Sequence, residues 1–199
     1  MAINRYAAAA GMTLIIFNLF FAFSDCRAEE AGSGFLQAVE FFSGYSQGDL
    51  ECEDHYNIIP IMVDFDINLK KLVNVKNFYP PGLLQLQLEP FVSVVFAPDY
   101  DLEAGASLLL KLGIFPEAWA LQPYIKCGIG PVYITRDAEE QGTHLNFIES
   151  YCAGAHYFFD KKTAFTLEGR FRHLSNAGMK EPNHGINSYT ALGGVMFLF

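Results

Sequence analysis

Two residues in the stretch Thr163–Ser175 could act together on an ester or an amide. His173 offers an imidazole that can serve as a base, and Ser175 offers a hydroxyl that becomes a nucleophile once a base takes its proton. They stand two apart, so in an extended strand they share a face with Phe165, Leu167 and Phe171, while Glu168, Arg170 and Arg172 take the opposite face. A nucleophile and a base among apolar side chains suit an enzyme working in water poorly. They suit one whose apolar wall touches a bilayer and whose substrate is a lipid.

The element that carries this pair belongs to a series. Period-two alternation predicts eight strands, near Phe35–Ser46, Tyr56–Asn68, Leu84–Phe96, Glu103–Phe115, Leu121–Ile134, Leu145–Phe159, Thr163–Ser175 and Ser188–Phe199. At about 11 to 15 residues each they are longer than most strands of soluble domains and long enough to cross a bilayer at a tilt. Their faces separate cleanly. Leu84, Leu86, Leu88, Val92 and Val94 oppose Gln85, Gln87, Glu89 and Ser93, and Ile59, Ile61, Val63, Phe65 and Ile67 oppose Asp64 and Asp66. Glu40, Lys111, Lys126, Glu168, Arg170 and Arg172 share the polar side, where both signs are present and can pair inside a narrow lumen.

The expected fold is therefore all-β: an eight-stranded antiparallel up-and-down transmembrane β-barrel, too small for an open pore. Its loops after the first, third, fifth and seventh strands face outward if the chain starts from the periplasm, and the seventh strand then lifts His173 and Ser175 to the outer leaflet. The terminal Val195-Met196-Phe197-Leu198-Phe199 alternates aromatics as outer-membrane barrels commonly do. Tyr45, Tyr133, Tyr151 and Tyr189 read as interface girdle residues. Periodicity does not say which face is inside, so a lipocalin-like soluble barrel with the apolar face inward is the alternative.

Residues 1–28 read as a secretory signal peptide: Arg5, an apolar run over Ala7–Phe23, and Cys26-Arg27-Ala28 before cleavage. The barrel domain would then be residues 29–199, with a formal charge of about −10, which argues against a nucleic-acid partner. Outer-membrane lipids are the expected surroundings, and a homodimer is compatible with such a barrel. Cys52, Cys127 and Cys152 match neither a metal-ligand spacing nor a Cys-x-x-Cys motif. Neither a metal nor any other cofactor is called for by the residues found.

The segment Phe171-Arg172-His173-Leu174-Ser175-Asn176-Ala177-Gly178, followed by Pro182-Asn183-His184-Gly185-Ile186-Asn187, closely resembles the outer-membrane lipid A 3-O-deacylases of the PagL type. The motif covers about 17 residues, and the strand pattern, signal segment and terminal Phe199 extend the likeness along the chain. The resemblance implies a carboxylic ester hydrolase acting on lipid A of lipopolysaccharide. Ser175 would be the nucleophile, His173 the base, and Asn176, Gly178 and Asn183 would surround the oxyanion. The family places an acidic residue twelve positions after the serine, and this chain has Asn187. An amide can orient a histidine but cannot stabilise the imidazolium by charge, so weaker activity or a different acid is expected.

Counting back across a turn at Asp160–Lys162 sets Glu149 opposite His173, and Glu149 is the one charged residue on the face of Leu145, Phe147 and Tyr151. It is the candidate substitute acid. His144 and His184 read as solvated loop residues and His156 as an interior histidine. Two other readings stay open: a catalytically weak or inactive barrel that binds lipopolysaccharide or serves structurally, and a small adhesion or resistance barrel, which short loops disfavour.

Overall fold

The computed structural model describes residues 35–50, 55–71, 81–135 and 140–199; the expected signal segment and Cys52 lie outside the described residues. Eight antiparallel strands form one closed sheet in chain order: β1 (Leu36–Asp49), β2 (Tyr56–Asn68), β3 (Leu84–Ala97), β4 (Asp101–Gly113), β5 (Leu121–Ile134), β6 (Leu145–Phe158), β7 (Thr163–Ser175) and β8 (Ile186–Leu198). β1 pairs with β8, which removes every sheet edge. β2, β5 and β7 have the expected bounds.

β3 and β6 differ from expectation by one residue. β1, β4 and β8 differ by more, because ladder hydrogen bonds need no apolar side chains and run on where hydrophobic alternation stops. β1 continues past Ser46 to Asp49 and β8 starts at Ile186 rather than Ser188, because Gly48 faces Ser188 and Asp49 faces Asn187. Asn187 thus stands in a strand and not in a loop. β4 starts early for the same reason, with Asp101 paired to Val95, and stops at Gly113, where the chain turns under the barrel. There Glu117 N–H donates to Pro81 O at 3.2 Å and the Phe115 and Trp119 rings meet at 4.9 Å.

The wall is apolar outward. Ile59, Ile61, Leu88, Val92, Leu108, Ile129 and Leu167 are exposed, whereas Asp64, Asp66, Gln85, Gln87, Glu89, Lys111 and Lys126 are buried. A soluble lipocalin-like barrel has the reverse arrangement, so that alternative is excluded. Tyr45, Tyr133, Tyr151 and Tyr189 stand exposed on the wall, as girdle residues should.

The lumen is filled in layers. Its middle holds ion pairs: Lys126 Nζ lies 2.9 Å from Glu168, 3.1 Å from Asp64 and 3.6 Å from Glu89, and Arg170 grips Glu89 through two bonds of 2.6 Å. Lys111 pairs with Glu40 and Asp66, and Arg172 with Glu103. His156 is fully buried, hydrogen-bonded to Thr166 at 2.8 Å and stacked on Tyr124, as expected of an interior histidine. The lumen is not charged throughout, however. Tyr56, Ile58, Val95, Val132, Ile134, Ile148, Leu174 and Ile186 close its outer end with an apolar cluster, and Ala38, Phe158, Ala164, Met196 and Leu198 close the other.

The β6–β7 turn fixes the register that matters most. Asp160 Oδ1 accepts from Lys162 N–H at 2.7 Å and from Thr163 N–H at 2.6 Å, and these bonds hold its carboxyl below the usual carboxylate range. Phe159 N–H donates to Thr163 O at 3.2 Å, and the ladder from there opposes Glu149 to His173 and Phe147 to Ser175.

Candidate active site

His173 and Ser175 leave β7 on the outward face, both half-buried, and the interior faces of the same stretch go to Arg172 and Leu174. His173 is flanked on both sides. Glu149 of β6 opposes it across one ladder and Asn187 of β8 across the other. Of these neighbours Asn187 touches the ring: its Oδ1 lies 2.7 Å from His173 Nδ1. A carboxamide oxygen only accepts, so Nδ1 carries the proton and Nε2 keeps its lone pair. The structure therefore joins His173 to Asn187 directly and puts Glu149 beside them in register, exposed at the surface.

The loop between β7 and β8 covers the imidazole from above. Its first turn is closed by Met179 N–H donating to Asn176 O at 3.1 Å, with Ala177 at φ 54° and Gly178 at φ 73°. Asn176 is fully buried and spends its donors inside the loop: N–H to Asn183 Oδ1 at 2.8 Å, and Nδ2 to Lys180 O at 2.6 Å and Pro182 O at 3.2 Å. Gly178 lies exposed at the loop surface, and Asn183 is half-buried.

A second loop braces the first. Residues Glu140–Gly142, which follow β5, form a short antiparallel bridge, Gln141 to Asn183, flanked by His184 N–H to Glu140 O at 3.1 Å and Gly142 N–H to Pro182 O at 2.6 Å. Sequence reading gives no hint of this brace, because two loops some forty residues apart carry no shared periodicity. It also corrects the reading of His144 as a solvated residue. His144 is half-buried, stacked on Tyr133, with Nδ1 3.0 Å from Ile134 O; His184 is exposed as expected.

Gly185 is the other contact that the motif did not announce. It sits at φ 76°, and a Cβ built on it would lie 2.8 Å from His173 Cε1 and 3.4 Å from Nε2. Its positive φ and lack of a side chain let the backbone lie against the ring. Gly185→Ala should tilt the imidazole off Asn187 and lower turnover by about ten- to a hundredfold. Assembly of the barrel, read by heat-dependent mobility on gels, should be unchanged; wild-type turnover would show that the ring has room to spare.

One row below the site, Tyr151, Phe171 and Tyr189 occupy neighbouring strands, with ring centroids 6.4 and 5.4 Å apart. These rings make an aromatic ledge under the histidine. Cys127 is exposed on the outer wall and Cys152 is buried in the lumen, so the two face opposite ways. Among the described residues no group of His, Cys, Asp and Glu is placed to hold a metal ion.

A closed eight-stranded barrel with an apolar outer wall and a charged lumen defines an outer-membrane β-barrel. The model of the lipid A 3-O-deacylase (PagL) family matches residues 81–195, more than half of the chain, and the chain belongs to that family. Among solved structures it is similar to the outer membrane enzyme PagL, at 19% identity and a TM-score of 0.59 over 79% of this chain and 97% of that one. It is also similar to Neisserial surface protein A, at 10% identity and a TM-score of 0.63 over 86% of this chain and 100% of that one. At such identities these two likenesses speak for the fold alone. No curated protein matches the sequence.

Proposed function

We propose that the chain is a working lipid A 3-O-deacylase that releases an ester-linked 3-hydroxyacyl chain from lipopolysaccharide in the outer leaflet. The observation that carries the reading is the 2.7 Å contact between His173 Nδ1 and Asn187 Oδ1 on the lipid-facing wall, which leaves Nε2 free to act as a base. In the reaction His173 Nε2 takes the Ser175 proton as Oγ attacks the acyl carbon. The tetrahedral intermediate collapses, the carbon–oxygen bond to the sugar breaks, and the imidazolium returns the proton to the sugar oxygen. Water then gives a proton to the same histidine as it attacks the acyl-serine; the acyl–Oγ bond breaks, Ser175 Oγ takes the proton back, and the 3-hydroxy fatty acid leaves. All the residues invoked lie on one chain, and no second copy enters the reading.

The oxyanion would be met by donors of the braced loop, from Gly178 N–H and the Asn183 carboxamide, with Asn176 holding that loop in shape. Glu149, directly opposite the imidazole, is proposed as the carboxylate that favours its charged form, since the amide of Asn187 brings no charge.

Mass spectrometry of lipid A from cells with and without the chain tests the reading; loss of one 3-hydroxyacyl mass is expected. Glu149→Gln should lower turnover about tenfold, as expected for one nearby charge at a partly solvated site. An unchanged rate would remove Glu149 from the mechanism. The neutral amide at position 187 is the observation that favours the second reading, a barrel of the same family that binds lipopolysaccharide without cleaving it, and unaltered lipid A would support that one.

A further inference from the structure

The connection from β5 to β6 is tied to the barrel rim before it reaches the loop that follows Ser175. Ile134 N–H donates to His144 O at 2.9 Å, and the fully buried Asn146 gives Nδ2 to Thr143 O at 2.9 Å and to His144 O at 3.2 Å. Asn176 serves the β7–β8 loop in the same way, with Nδ2 on Lys180 O and Pro182 O. Two buried carboxamides thus shape one loop each, and Gly142 is the seam between the loops.

At that seam the two backbones press together. Gly142 N–H donates to Pro182 O at 2.6 Å, and a Cβ built on Gly142 would lie 2.4 Å from Glu181 O, 2.7 Å from Glu181 C and 2.9 Å from Lys180 O. These are main-chain atoms, which cannot swing aside as the tip of a side chain does. Non-bonded heavy atoms rest at about 3.5 Å or more, so a methyl group at position 142 must push the Lys180–Glu181 backbone away by about 1 Å. The carbonyls next to that push, Lys180 O and Pro182 O, are the acceptors that hold the Asn176 side chain. Asn176 follows Ser175 directly, and its own N–H is held by Asn183 Oδ1 at 2.8 Å.

We propose that Gly142 is a positioning residue for the reaction at Ser175. Its bare backbone lets the anchored β5–β6 connection hold Lys180–Pro182, and through Asn176 keeps the Gly178 and Asn183 donors in place beside the nucleophile. The assignment rests on the reading of His173 and Ser175 as the catalytic pair.

The test is a double-variant cycle on the full-length barrel in lipopolysaccharide vesicles. Gly142→Ala should lower kcat about ten- to a hundredfold, the loss expected of a shift of about 1 Å in groups that meet the transition state, while KM stays within about threefold. Amide hydrogens of residues 176–184 should exchange faster in the variant, and heat-dependent mobility on gels should match wild type. In an Asn176→Ala background, where the link to Lys180 O and Pro182 O is already cut, Gly142→Ala should cost less than about threefold. An unchanged kcat, a rise in KM alone, an equal loss in both backgrounds, or failure of the Gly142→Ala barrel to assemble would overturn the assignment. Wild-type chain without turnover would sink the deacylase reading and this assignment with it, whereas wild-type turnover with an unaltered Gly142→Ala rate would sink the assignment alone.

Discussion

Ser175→Ala is expected to reduce release of the 3-hydroxyacyl chain by at least about a thousandfold. Removing the nucleophile of a serine–histidine unit leaves only the oxyanion donors and binding energy to act on the ester, and members of such a unit are lost nearly all-or-none. Ser175 is half-buried at the outer end of β7 and opposes Phe147, so losing its hydroxyl should leave the wall intact. Barrel assembly should match wild type, and lipid A from cells carrying the variant should have the mass seen in cells without the chain. His173→Ala should do the same. Detectable deacylation by Ser175→Ala at a tenth of the wild-type rate would remove the serine mechanism.

The largest effect on stability is expected from Lys126→Met. The ammonium sits among Asp64, Glu89 and Glu168, with side chains fully buried on every side. Taking away one partner of a buried ion pair strands the other, at a cost of about 3–5 kcal/mol. Arg170 still reaches Glu89 and Glu168, whereas Asp64 is paired with Lys126 at 3.1 Å. The variant should unfold at clearly lower urea concentration than wild type, or fail to become heat-modifiable at all. Lys161→Ala, on the exposed β6–β7 turn, should change stability by no more than about 0.5 kcal/mol. Equal stability of Lys126→Met and wild type would mean that the lumen takes up water around the freed carboxylates.

The fold was legible because alternation is a strong signal wherever each strand divides polar from apolar. Val63–Asp66 and Leu84–Glu89 announced both the period and the faces. The apolar outer cap was harder to read, since Ile58, Val95, Ile134 and Ile148 lie on the lumenal parity among other apolar residues and the alternation vanishes there. The ends of β1 and β8 run further than alternation indicates because the ladder continues through Gly48, Asp49 and Asn187, where apolar periodicity has stopped. At the site, the histidine and serine could be found from spacing and the opposition of Glu149 from counting across a turn. The role of Gly185 and the Gln141–Asn183 brace depend on how two loops fold over the wall, and a backbone approach of that kind leaves no periodic trace.

The outward aim of the His173 ring also fixes how the reaction should be counted. A substrate held in a leaflet reaches the wall by lateral diffusion, so the quantity that saturates the site is a mole fraction in the film and not a molarity in the medium. Diluting lipopolysaccharide with inert phospholipid or detergent at constant total substrate should slow turnover, while adding buffer should not. Two preparations with identical bulk composition but different packing of the film would then show different rates.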